Sequence, residues 1–285
     1  MIDSNPPKDF PPPRQGLDQE PASPFLDVTA ISHALGERSC RFDVEVVAEC
    51  ASTNTLLLFR AEAGAAAGSV VAARHQTAGR GRRGRSWVSQ AGDSLTFSLL
   101  WRFPGIQSLS GLSLAIGVAI AKALESLGLA GIKLKWPNDV LLTGRKLAGV
   151  LIEVVPGTRP DAVVIGVGIN LRLPQEMPKD VRRTATALAE AGKDVPDPNI
   201  LLANVLTEMH EVLQSFAERG FTGLKDDWMT RHAFEGEAVR LISDFGPPLE
   251  AYCRGVDSDG ALLLETAAGM QRIISGEVSM SLRKV

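Results

Sequence analysis

From Phe42 to Val47 apolar and polar residues alternate, with Phe42, Val44 and Val46 set against Asp43 and Glu45. A period of two predicts a strand with one buried face. Leu56 to Ala63, stopped by Gly64, reads as a helix with Ser52 as its N-cap. Val70 to Ala73 and Leu95 to Trp101 are short apolar runs that predict buried strands. Ser110 to Leu127 is a largely apolar helix ended by Gly128. Three strands follow, Ile132 to Trp136, Leu147 to Val155 and Val163 to Leu171. Their turns are Pro137-Asn138-Asp139, Thr143-Gly144-Arg145 and Pro156-Gly157-Thr158. A short helix is expected over Thr184 to Ala191. A longer one over Asn199 to Arg219 carries Leu202, Val205, Leu206, Met209, Leu213 and Phe216 on one face.

From Glu237 the texture changes. Ala238 to Ile242, Leu249 to Cys253, Ala261 to Leu264, Gln271 to Ile274 and Val278 to Leu282 read as short strands. Gly246-Pro247-Pro248, Asp257 to Gly260 and Ala268-Gly269 separate them, the rhythm of a small barrel. The pattern as a whole predicts an α+β chain with three parts: a disordered segment over 1–38, proline-rich as far as Pro24, a larger mixed domain over 39–234 and a small β domain over 235–285.

Composition narrows the function. The 285 residues are 45% hydrophobic and 22% charged, enough for a real core, and the net charge is −3. An acidic chain argues against a general nucleic-acid binder, whose footprint is basic. Cys40, Cys50 and Cys253 lie far apart with no CxxC, so neither a disulfide framework nor a zinc site is suggested. The start lacks a basic region followed by an apolar core, and the longest apolar stretch, Leu112 to Leu127, is interrupted by Gly117, Lys122 and Glu125. The expectation is a cytoplasmic protein that neither crosses a membrane nor binds DNA.

Against that background Gly79-Arg80-Gly81-Arg82-Arg83-Gly84-Arg85-Ser86-Trp87 stands out. Four guanidinium groups among three glycines predict a mobile loop that settles on an anion. The stretch matches a dinucleotide-binding GxGxxG and comes within one residue of a P-loop, but the polar, Gly-broken Ser86 to Asp93 supplies neither motif's helix. A third reading is an RGG-like nucleic-acid element.

Other polar groups are weak one at a time. Ser52-Thr53-Asn54 sits at a helix N-terminus, Gln76 precedes the arginine loop, and Lys135-Trp136-Pro137-Asn138-Asp139 makes a tight turn. Lys146 heads an otherwise apolar strand, and Gly166-Val167-Gly168-Ile169-Asn170 breaks a buried strand with two glycines. Such glycines suggest close approach of a ligand or another backbone.

Taken together and in this order, Ser52-Thr53-Asn54, Gln76 to Trp87, Lys135 to Asp139, Lys146-Leu147-Ala148-Gly149 and Gly166 to Asn170 resemble the successive signatures of biotin–protein ligases. Arg254 to Asp257, Gly260 to Glu265 and Ser275 to Val278 are similar to that family's C-terminal domain. The resemblance implies a mixed-sheet catalytic domain of the biotin/lipoate ligase type with a C-terminal SH3-like barrel. It implies biotin and ATP as substrates, Mg²⁺ with the ATP, and a biotin carboxyl carrier protein domain as acceptor. It is to the single-function type without an N-terminal DNA-binding domain; a homodimer is left open. Carried over, Ser52, Thr53, Asn54 and Gln76 would bind the polar head of biotin, and Arg80, Gly81, Arg82 and Lys146 would hold its carboxylate and then the acyl phosphate. Arg82, Arg85, Trp87, Asn138, Gly166, Gly168 and Asn170 would form the nucleotide site, with Trp87 stacked on adenine, Asn170 facing its polar edge and the two glycines making room. Arg80, Arg82, Lys146 and Asp139 are the expected catalytic groups, Asp139 as a base or a metal-orienting carboxylate; no protein ligand to the metal is assigned. The nearest alternative of the same fold is a lipoate or octanoate ligase or transferase.

Overall fold

In the computed structural model, residues 25–88, 90–103, 105, 108–157, 162–192, 194–242 and 247–280 are described. The alternating segments assemble into one seven-stranded mixed sheet. Its order is β1 (Asp43–Cys50), β2 (Ser69–Gln76), β3 (Ser94–Arg102), β7 (Ala162–Asn170), β6 (Arg145–Val154), β5 (Asp139–Leu142) and β4 (Ile132–Lys135). β1 and β2 run parallel, joined by the crossover helix α2 (Thr53–Glu62), and every other neighbouring pair is antiparallel.

Side-chain parity along the two central strands separates core from site. Leu95, Phe97 and Leu99 of β3 and Val163, Ile165, Val167 and Ile169 of β7 belong to the main core. That core is covered by α3 (Leu112–Ser126) and α5 (Pro198–Arg219). On the opposite face Leu100 and Val164 pack under Leu57 and Ala61 of α2. Toward the N-terminal end of α2 and past it the same parity continues as Thr96 and Ser98 on β3 and as Gly166, Gly168 and Asn170 on β7. One face is thus apolar throughout, while the other passes from apolar to polar and glycine-lined.

The long helices follow the sequence reading. α5 starts at Pro198, with Asp197 as its cap: the Asp197 carboxylate accepts the Asn199 N–H at 2.7 Å. Three expectations are corrected. Val28–Leu35 is a helix, α1, not part of a disordered segment; Asp27 caps it and Ile31 and Leu35 are buried. The proline-rich stretch 1–24 lies outside the described residues, as do 281 and 282 of the last expected strand. Asp139 opens a strand, β5, because Val140, Leu141 and Leu142 are all buried between β4 and β6. The helix expected over Thr184 to Ala191 is replaced by α4 (Lys179–Thr184), an extended link and a 3₁₀ turn over Leu188–Glu190. The link serves as a strap along β6: Thr186 N–H donates to Lys146 O at 2.9 Å, and helix would leave that bond unmade.

After α6 (Lys225–Met229) come β8 (Ala238–Ile242), β9 (Leu249–Val256), β10 (Leu262–Thr266), β11 (Gly269–Ile273) and β12 (Glu277–Met280). They form a separate antiparallel sheet in the order β11-β10-β9-β8-β12. Trp136, buried at the end of β4, reaches across and donates its indole N–H to Gly260 O at 3.0 Å. Among the described residues no helix is long and apolar enough to cross a membrane.

The Trp136 bond is a test of how the two sheets are joined. Trp136→Phe keeps most of the packing but strands a buried carbonyl, so stability should fall by about 1–3 kcal/mol. Urea unfolding with an unchanged midpoint would show that the bond does not hold the sheets.

Candidate active site

On the polar part of the sheet face lies a cleft of about 270 Å³. Its lining brings together Ser52, Thr53, Asn54, Gln76, Arg80, Gly81, Arg82, Arg85, Trp87, Asn138, Asp139, Lys146, Gly166, Gly168 and Asn170, every residue the sequence singled out.

The floor is made where α2 starts. Ser52 occupies the N-cap position, but its side chain makes no capping bond, contrary to the sequence reading. Gln76 Oε1 accepts the Thr53 backbone N–H at 2.8 Å, with Thr53 Oγ1 at 3.2 Å. Because the oxygen is engaged, the Gln76 amide is oriented and its nitrogen is the end left to face elsewhere. Ser98, fully buried behind the floor, lies 2.7 Å from Thr53 Oγ1 and 2.6 Å from Asn54 Oδ1.

The two strand glycines make room for protein side chains. A Cβ on Gly166 would sit 2.1 Å from Asn54 Oδ1, and one on Gly168 would sit 2.6 Å from the Trp87 ring. The space the sequence reading reserved for a ligand is thus filled by Asn54 and by Trp87, which closes the arginine loop. Asn170 also departs from expectation: its amide nitrogen donates to Thr186 O at 2.9 Å and to Lys146 O at 3.4 Å, so it ties the strap to β6. The Trp87 indole N–H is buried and has no hydrogen-bond partner among the described residues.

The arginine loop is not a cluster of unpaired charges. Its ends close on each other through Trp87 N–H donating to Gly79 O at 2.9 Å and Gly81 N–H donating to Arg85 O at 2.7 Å. Arg80 pairs with Glu153 (Nη2 to Oε1, 2.8 Å), and Arg85 makes a two-pronged pair with Glu277 of β12 (Nη1 to Oε1, 2.9 Å). Arg82, half-buried, donates to Asn138 Oδ1 at 3.4 Å. Burial and then the neighbouring Arg83 charge lower the Arg82 pKa from the usual guanidinium range, while Asp139 and Glu277 oppose the shift. Among the described residues no motif helix follows the loop: after a 3₁₀ turn over Arg82–Gly84 come a bridge at Ser86 and a turn at 91–93 before β3.

Opposite the loop, Asp139 is nearly buried between two ammonium groups, Lys146 Nζ at 2.6 Å and Lys135 Nζ at 3.1 Å. Burial pushes its carboxyl up, but the charges and hydrogen bonds of Lys146 and Lys135 outweigh this and hold it below the usual 3.8. A carboxylate so held is a poor proton acceptor. Lys146 also stands over the Trp87 ring, 5.8 Å from its centroid.

Four contributors escaped the sequence reading. Glu153 and Ser98 were visible as lone polar residues in buried strands; Lys135 was noted only as part of its turn. Glu277 was noted only within the C-terminal Ser275 to Val278 motif, 192 residues from its partner Arg85.

A glycine-notched sheet face with a polar floor and a cationic rim defines a small-molecule site that takes a polar head and an anionic group. Comparison with known proteins gives that class a family. Residues 46–170 match the model of the biotin/lipoate A/B protein ligase family, and residues 235–281 match the biotin protein ligase C-terminal domain. The bifunctional ligase/repressor BirA of Escherichia coli is 37% identical over 231 residues, covering 80% of this chain and 71% of that one. The biotin–[acetyl-CoA-carboxylase] ligase of Mycobacterium tuberculosis is 34% identical over 268 residues, 92% and 98% of the two chains. The structure of the Aquifex aeolicus biotin protein ligase in complex with biotin and ATP superposes with a TM-score of 0.74 at 32% identity, covering 84% of this chain and 98% of that one. The chain belongs to the biotin/lipoate A/B protein ligase family.

Two outcomes test this geometry. Gly168→Ala should displace Trp87 from β7 and cut ligand affinity at least tenfold, since the added carbon has no space and backbone cannot yield; indole fluorescence and a binding titration read it, and wild-type values in both would mean the ring is not seated there. The Asp139 carboxyl is depressed in the folded state, so its stabilisation is present above pH 3.8 and is lost as pH falls through the lowered value. Asp139→Asn should therefore cost about 1–3 kcal/mol at pH 7, and the gap to wild type should close at acid pH, once the carboxyl of the wild type is protonated. An equal deficit at both pH values would contradict the pairing.

Proposed function

We propose that this protein activates biotin with ATP to biotinyl-5′-AMP and transfers the biotinyl group to a lysine of a biotin carboxyl carrier protein. The observation that carries the reading is the side-by-side placement of a polar floor, Thr53 and Gln76, and a cationic rim, Arg82, Lys135 and Lys146, in one cleft of a chain from this family.

In the first step a biotin carboxylate oxygen attacks the α-phosphorus, and the bond to the bridging oxygen of the β-phosphate breaks, releasing pyrophosphate. Both reactants are anionic, so the protein's main tasks are to position them and neutralise their charge. Arg82 and Lys146 face the cleft and serve that role; Asp139 holds Lys146 and Lys135 in place rather than acting as a base. Arg80, paired with Glu153, shapes the loop and takes the acid group only by exchanging partners. The unpartnered Trp87 indole N–H offers a donor to the nucleotide, beside Asn138 and Gly168. In the second step the carrier's neutral amine attacks the acyl carbon and AMP leaves with the bonding pair. The closed loop keeps water from the mixed anhydride.

Mg²⁺ would accompany ATP and supply further neutralisation of its phosphate charge. The carboxylates that line the cleft, Asp139 and Glu277, each already face a cation, so no protein ligand is proposed. We read residues 39–234 as the catalytic domain and the C-terminal sheet as an SH3-like module that supplies Glu277 to the rim. The protein is proposed to work in the cytoplasm, without a DNA partner and with homodimerisation open to test.

Biotin-dependent exchange of labelled pyrophosphate into ATP tests the function, with lipoate as the control. Wild type should exchange with biotin and not lipoate; Lys146→Ala should lose at least 100-fold of the rate at a temperature where it is still folded, with its melting temperature lowered by the loss of the Asp139 pair. Exchange with lipoate alone would assign the site to the other branch of the family.

A further inference from the structure

Behind the cleft floor runs a chain of hydrogen bonds whose direction can be worked out from its far end. Glu153 is paired with Arg80 and accepts only; Asn54 Nδ2 lies 2.9 Å from Glu153 Oε2 and 3.3 Å from Leu151 O. Two acceptors on one side fix the Asn54 amide, so its Oδ1 must face Ser98. Ser98 Oγ is 2.6 Å from that oxygen, and a contact so short needs the single Ser98 hydroxyl hydrogen. Ser98 is then an acceptor toward Thr53, whose Oγ1 lies 2.7 Å away, the ordinary length of a hydroxyl–hydroxyl bond. The hydrogen in it has to be that of Thr53, because Ser98 has no second one to give; the longer 3.2 Å approach of Thr53 Oγ1 to Gln76 Oε1, the other acceptor in reach, is then left without it.

We infer that the chain Thr53 to Ser98 to Asn54 to Glu153 draws the Thr53 hydroxyl hydrogen into the protein and leaves its oxygen facing the cleft as an acceptor only, which makes Ser98 a residue that sets head-group specificity. Gln76 complements it. Its oxygen is taken by the Thr53 N–H, so its NH₂ group is the donor end. An acceptor and a donor a few ångströms apart suit a head that offers N–H next to C=O, as the cyclic urea of biotin does. The inference rests on the biotin reading above but goes past it. Ser98 is fully buried, is not part of the cleft lining, and would act without touching the ligand.

The expected behaviour is distinctive. With its hydrogen committed, Thr53 meets an ether oxygen with lone pairs on both sides and rejects it. Without Ser98 the hydroxyl can rotate and donate. The test measures dissociation constants by calorimetry for biotin and for the two cyclic carbamates in which one or the other ureido N–H is replaced by oxygen. Wild type should disfavour one carbamate by about 100-fold or more. Ser98→Ala should reduce that ratio by about tenfold while leaving the ratio for the other carbamate unchanged. Ser98→Cys, which keeps a weak donor and acceptor, should fall between them and stands in if the alanine variant does not fold.

Equal weakening toward all three ligands would make Ser98 a packing residue and overturn the inference. So would wild-type protein that binds biotin but distinguishes neither carbamate, a result that leaves the ligase reading intact. Wild-type protein that binds no biotin at all would remove both.

Discussion

A site that must bring two anions together needs several cations within a few ångströms of one another, and those cations repel when the anions are away. At 4 Å and an effective dielectric near 20, two like charges cost about 4 kcal/mol, comparable with a large share of a domain's net stability. The structure meets this constraint by giving cations of the cleft carboxylates of the protein's own. Asp139 stands between Lys135 and Lys146, Glu153 holds Arg80, and Glu277 holds Arg85. Arg82 is the contrast: its acceptor is the neutral Asn138, at hydrogen-bonding's outer limit. A cation held that loosely exchanges partners at least cost, so it is the group best suited to follow charge from carboxylate to acyl phosphate.

Placing those pairs is the work of the sheet. Strand parity puts bulky apolar residues of β3 and β7 against α3 and α5, and the alternate positions, small or polar, under the cleft. Gly166 and Gly168 let Asn54 and Trp87 lie directly on the strand backbone. The floor's polarity and the loop's closure therefore depend on the same two absent side chains, and a methyl group at either would disturb both chemistry and shape.

How much of this was legible in the sequence follows from the range of each interaction. The alternation of β1, the apolar face of α5 and the glycines of β7 are local, and the structure follows them closely. The ordered motifs likewise named the residues of the cleft. What they did not reveal was who pairs with whom. Four arginines in a row read as an unburdened anion trap, because Glu153 and Glu277 lie 73 and 192 residues from the arginines they hold. The missed strand β5 and the mistaken helix over Thr184 to Ala191 have one cause: each segment's hydrogen bonds are made with β6, a partner that local propensity does not contain.

The same reasoning bears on the C-terminal sheet. Among its contacts with the larger domain two differ sharply in chemistry, Trp136 to the Gly260 carbonyl and Arg85 to the Glu277 carboxylate. The first is a buried neutral hydrogen bond, whose worth is nearly independent of salt. The second is an exposed ion pair, weak in isolation and screened by electrolyte. The Trp136 bond therefore keeps its worth at any ionic strength, while the Arg85–Glu277 pair weakens as salt rises.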